Sequence, residues 1–114
     1  DEVRCVLTHD LDGDGRDEIV AGSRSHSVYC FGADGARRWR TDLGAPVTAL
    51  AGGTTDAGAA VFAGTEAGRL VTLGPDGRVV KSTGLGAEVL DVLVFEGTVV
   101  AATADGKLHA FDGE

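Results

Sequence analysis

Hydrophobic and polar positions along the chain sort into short runs separated by turn residues. The first four runs are Val3–Thr8, Glu18–Gly22, Ser27–Phe31 and Ala36–Thr41. The next four are Val47–Ala51, Ala59–Gly64, Arg69–Leu73 and Arg78–Thr83, and the last three are Val89–Phe95, Thr98–Thr103 and Lys107–Phe111. Runs this short, bounded by Gly, Asp and Pro, read as β-strands rather than helices. Asp34-Gly35, Pro75-Asp76-Gly77, Glu96-Gly97 and Asp105-Gly106 supply the turn chemistry between them. Some runs are apolar at successive positions, as in Ala59-Ala60-Val61-Phe62-Ala63 and Val99-Val100-Ala101-Ala102. A strand apolar at both parities is buried on both faces. The pattern therefore predicts an all-β chain whose sheets stack upon one another.

The runs also repeat. From Gly22-Ser23 to Gly64-Thr65 is a shift of 42 positions. The same shift carries Val28-Tyr29-Cys30-Phe31-Gly32-Ala33-Asp34-Gly35 onto Leu70-Val71-Thr72-Leu73-Gly74-Pro75-Asp76-Gly77. It also carries Thr41, Leu43, Gly44, Ala45 and Val47 onto Thr83, Leu85, Gly86, Ala87 and Val89. A further shift of 38 brings Thr65, Gly68, Arg69, Leu70 and Leu73 onto Thr103, Gly106, Lys107, Leu108 and Phe111. A four-stranded unit of about 40–45 residues is the period of a β-propeller blade. The expected organisation is a single propeller segment, with blade 1 at residues 1–42, blade 2 at 43–84 and an incomplete blade 3 at 85–114.

The unit resembles the PQQ-like propeller repeat. Val28-Tyr29-Cys30-Phe31, Ala33-Asp34-Gly35 and Trp39 stand where that family carries its strand, turn and tryptophan. The second unit keeps Pro75-Asp76-Gly77 but has Lys81 at the tryptophan position. The resemblance implies the fold and not a quinone, and Trp39 is expected to anchor blade packing. Propellers close at about four to eight blades. The expected partner is therefore the chain itself, assembled into a ring, or the remainder of a propeller. A small closed sandwich of the eleven strands is the alternative.

One blade carries distinctive chemistry. Asp10, Asp12 and Asp14 alternate, Gly15 follows, then Asp17, Glu18 and an apolar strand. Counting Asp10 as position 1, carboxylates fall at positions 1, 3 and 5, with a glycine at 6 and the Arg16 carbonyl at 7. Hard cations such as calcium take several oxygen ligands at about 2.3–2.6 Å from such a wrapped loop. Position 12, where an EF-hand needs glutamate, is Ala21, so this is not an EF-hand. The candidate ligands are Asp10, Asp12, Asp14, the Arg16 carbonyl and Glu18, with Asp17 as second choice or outer group. Sodium, magnesium, or a plain Asp/Gly turn are the alternatives. The loop resembles the calcium loop of FG-GAP and VCBS repeats, although its ninth position is Glu rather than Asp. That resemblance implies Ca2+ as cofactor. The corresponding stretch of the second unit keeps only Asp56, and the third shrinks to Glu96-Gly97, so one site per chain is expected.

Composition narrows the function classes. A net charge of −8 argues against nucleic-acid binding, and no run is long and apolar enough for membrane insertion as a helix. Arg37, Arg38 and Arg40 flank Trp39 on an outer strand and are expected to form a solvated edge that discourages strand pairing. Cys5 and Cys30 fall on the first and third strands of one unit, two strand spacings or about 9–10 Å apart, too far for a disulfide. They are expected to be small packing residues. His9, His26 and His109 occupy three different places in the repeat, and no nucleophile or acid–base set appears. The expected function is a calcium-binding, non-catalytic scaffold or binding surface for a protein or glycan. A calcium loop points to an extracytoplasmic or secreted setting. The alternative is a fragment of a propeller enzyme, lyase-like or quinoprotein-like, whose active site needs the whole ring.

Overall fold

A computed structural model describes residues 2–55 and 58–112. The described residues form three antiparallel sheets. The first holds β1 (Val3–His9), β2 (Glu18–Ser23), β3 (Ser27–Phe31) and β4 (Arg37–Asp42) in that order. The second holds β5 (Val47–Thr55), β6 (Gly58–Thr65), β7 (Arg69–Leu73) and β8 (Val79–Gly84), again in sequence order. The third holds β9 (Val89–Phe95), β10 (Thr98–Thr103) and β11 (Leu108–Asp112). Each sheet is a meander, with short turns feeding each strand to its neighbour, as in a propeller blade.

Two apolar layers join the sheets. Val20, Val28 and Cys30 of the first sheet meet Val47, Val61, Ala63, Val71 and Leu73 of the second. On the far side of the second sheet, Ala49, Ala60, Phe62 and Leu70 meet Val89, Val92, Val99 and Ala101 of the third. The second sheet is thus covered on both faces, which is why β6 is apolar at both parities. The repeat also reappears in backbone detail. The first-to-second-strand ladder shifts register between Val3 and Cys5, between Val47 and Ala49, and between Ala102 and Thr103.

Close approach of the sheets depends on two glycines. A Cβ on Gly22 would lie 2.5 Å from Val47 Cγ1, and one on Gly64 would lie 2.3 Å from Val89 Cγ1. Val47 and Val89 are fully buried there. Val3, which holds the same register position in the first sheet, is 53% exposed. The outer faces of the end sheets also carry apolar side chains, Val6 and Ile19 on the first and Leu90, Leu93, Phe95 and Leu108 on the third.

All eleven expected strands are present, with one substantive difference. β5 runs to Thr55, four residues beyond the expected end, because Gly52, Gly53 and Thr54 continue the ladder opposite Val61, Ala60 and Ala59. Glycine lowers strand propensity, but here each glycine makes room for a neighbour. A Cβ on Gly52 would meet the His9 ring at 2.8 Å, and one on Gly53 the Phe62 ring at 3.0 Å. Asp56, the acid remaining in that stretch, lies outside the described residues.

Candidate metal centre

The loop from Asp10 to Asp17 connects β1 to β2 and is anchored from beneath. Leu11, the apolar residue within the acidic run, is buried in the layer between the first two sheets. Glu18 opens β2, and its side chain is only 1% exposed. Its Oε1 accepts the Leu11 N–H at 2.7 Å and the Asp12 N–H at 3.3 Å. Its Oε2 is buried and has no hydrogen-bond partner among the described residues. A buried carboxylate oxygen without a partner is costly, and it needs a donor or a cation.

The other acids sit around it. Asp10 accepts the Gly13 N–H on Oδ1 and the Gly15 N–H on Oδ2, both at 2.9 Å. Asp12 Oδ1 accepts the Asp14 N–H, and Asp14 Oδ1 accepts the Arg16 N–H. These bonds curl the chain so that its carboxylates turn inward, and Gly13 and Gly15 take the left-handed conformation the curl requires. One carboxylate oxygen from each of Asp10, Asp12, Asp14 and Glu18 lies within 4.8 Å of the others. Oxygens about 2.3–2.6 Å from a shared calcium ion would be spaced in that way. Arg16 lies in the same loop and is exposed, while Asp17 is exposed and is not among the converging carboxylates.

A cation already touches the rim. Arg38 reaches from β4 to Asp12, with Nη1 2.8 Å from Oδ2. Its path crosses Gly32, where a Cβ would meet Arg38 Nε at 2.6 Å. Arg37, Arg38 and Arg40 are exposed on the edge strand β4, as expected of a solvated edge, and Arg38 in addition pairs with the acidic loop. Arg40 also has partners, donating to Ser27 Oγ and lying 5.8 Å from the centre of the Tyr29 ring. Desolvation would raise the Asp12 carboxyl, but the Asp14 N–H and the Arg38 guanidinium hold it below its ordinary value.

The remaining candidates take structural places. His9 Nε2 lies 3.0 Å from the Gly53 carbonyl and bridges the first two sheets. His109 Nε2 lies 3.3 Å from Thr103 Oγ1, and His26 sits in a turn with φ of 81°. Cys5 and Cys30 are free thiols within the first apolar layer. Burial pushes both thiols up, and for Cys30 the Glu18 charge adds to the shift. Trp39 packs against that layer and donates from Nε1 to the Pro75 carbonyl at 2.9 Å. A cavity of about 20 Å³ between the second and third sheets, lined by Phe62, Leu70, Lys81 and Phe111 among others, has room for about one water molecule.

Comparison with known proteins agrees with this architecture. BamB from Moraxella catarrhalis superposes with a TM-score of 0.73 at 21% identity, over 96% of this chain and 34% of that one. The β-propeller domain of Cps50 (Swd1) from Myceliophteria thermophila gives 0.78 at 14% identity, over 98% and 36%. BBS1N, solved in complex with ARL6DN, gives 0.76 at 14% identity, over 96% and 37%. The chain thus spans about a third of the length of each. No curated protein matches by sequence. The family model described as outer membrane protein assembly factor BamB matches residues 24–114. The chain belongs to that family of PQQ-like β-propeller proteins.

Proposed function

We propose that this chain is a calcium-stabilised, non-catalytic propeller segment that serves as scaffold and protein-binding surface. The observation that carries the metal assignment is Glu18 Oε2, buried and unpartnered beside three aspartates. Asp10, Asp12, Asp14 and Glu18 would supply carboxylate oxygens, and Arg16 its backbone carbonyl. The FG-GAP and VCBS resemblance supports the same ligand set. Calcium suits the site better than magnesium, because magnesium keeps several waters and demands stricter octahedral geometry. The bound ion would offset the carboxylates and pin the β1–β2 connection against the second sheet.

The scaffold reading rests on family membership and on the end faces. Val3 is exposed at a position where Val47 and Val89 are sealed against a neighbouring sheet, which supports further blades covering this segment. Ala102 occupies the place of Gly22 and Gly64. Its methyl would crowd a valine docked in the same way, which favours a different blade over a second copy. A protein ligand is supported by BBS1N, a structural neighbour that is itself solved in a complex. An extracytoplasmic setting is supported by the BamB-like family and fits the proposed calcium site. Thermal unfolding in calcium, magnesium and chelator tests the metal role. Calcium raises the melting temperature above both other conditions, and equal melting in all three would refute it.

A further inference from the structure

The metal loop has a cation of its own. Arg38 is contributed by a different hairpin from the loop, 26 positions along the chain, and pairs with Asp12 Oδ2. Its guanidinium lies over Gly32, where a methyl group would meet Nε at 2.6 Å and Nη2 at 2.9 Å. The second sheet provides an internal comparison. There Gly74 holds the place of Gly32, and Val80 holds the place of Arg38 with its Cγ2 3.7 Å from the site of a Cβ on Gly74. The hairpin path is the same, but the acidic loop is missing and so is the arginine.

We propose that Arg38 is a built-in counter-cation of the metal loop, one that weakens cation binding and does so more strongly as the charge of the cation rises. The inference rests on the calcium reading above. In the ion-free loop, Arg38 offsets part of the charge of four converging carboxylates. When an ion enters, the guanidinium stays at the rim and repels it. Repulsion by a fixed charge scales with ionic charge, so a trivalent ion is disfavoured more than a divalent one of similar size. The site is thereby set for calcium at an affinity below what its acids alone would give. Arg38 touches Asp12, not the ion, and acts through charge at the rim.

The test is titration of the whole chain with Ca2+ and with Tb3+, at low and at physiological salt. Arg38→Ala tightens Ca2+ roughly threefold and Tb3+ roughly fivefold at physiological salt, and both gains grow at low salt. Arg38→Lys keeps the wild-type affinities. Gly32→Ala, which crowds the guanidinium off its path without deleting the charge, moves both affinities in the same direction as Arg38→Ala. Weaker calcium binding in Arg38→Ala, or equal factors for the two ions, would overturn the inference while leaving the calcium site intact. A wild-type chain that binds neither ion would overturn both.

Discussion

Replacing Gly64 with alanine puts a methyl group into the seam between the second and third sheets. The new Cβ would stand 2.3 Å from Val89 Cγ1 and 2.7 Å from Val89 Cβ, against about 3.5–4.0 Å for a comfortable carbon–carbon contact. Rotating Val89 relieves the first clash and not the second, so β9 itself must move by about 1 Å. Overpacking of this kind costs ~1–3 kcal/mol. The loss of chain freedom in the unfolded state returns ~0.4–1 kcal/mol. We therefore expect Gly64→Ala to lower stability by about 1–2 kcal/mol in a urea titration, with an unchanged denaturant slope. Gly84→Ala is the control, since its Cβ would find only Arg69 Nη1, at 3.5 Å, and its stability should stay within about 0.5 kcal/mol of wild type. Combining Gly64→Ala with Val89→Ala should cost less than the sum of the two. If Gly64→Ala proves as stable as Gly84→Ala, the close packing of sheets through glycine is refuted.

Two further outcomes follow from side chains outside the acidic loop. Trp39→Phe removes the Nε1 bond to Pro75 and part of the ring that lies under Gly77, and should cost about 1–2 kcal/mol in the same titration. No change would show that the ring does not tie the first sheet to the second. Asp105 is held below its ordinary value by the Thr103 hydroxyl and the Lys107 N–H, against the desolvation that would raise it. A carboxyl depressed in the folded state contributes stability above its unfolded value of about 3.9, and loses it as pH falls through the folded value. Asp105→Asn should therefore flatten the fall in melting temperature below about pH 4, and an unchanged acid profile would count against that hydrogen-bonded carboxylate.

Most of the fold was legible because the propeller repeat is written locally. Asp-Gly turns, a fixed period and strands apolar at both parities specify blades before any contact is known. The convergence of Asp10, Asp12, Asp14 and Glu18 was legible for the same reason, since alternating acids and a glycine declare a wrapped loop within nine residues. What escaped was non-local. Gly52 and Gly53 read as loop because their reason for being glycine is the His9 and Phe62 rings, which arrive from other positions in the sequence. Arg38 is the surface charge it was expected to be, but its pairing with Asp12 escaped because that partner lies in another hairpin. Leu11 gave a signal that deserved weight: a large apolar residue inside an acidic loop has to go somewhere, and it goes into the core. The unpartnered oxygen of Glu18 has no sequence signature, because only burial distinguishes it from an ordinary carboxylate.

The most direct test of the calcium assignment is equilibrium binding of Ca2+ to the wild-type chain and to Glu18→Gln. The substitution keeps the side-chain volume and the acceptor for Leu11, but turns the buried oxygen into an amide without charge. We expect one calcium ion per wild-type chain and at least a tenfold loss of affinity in Glu18→Gln, with the variant folding equally well in chelator. Absence of calcium binding by the wild type, or equal binding by the two chains, would contradict the account.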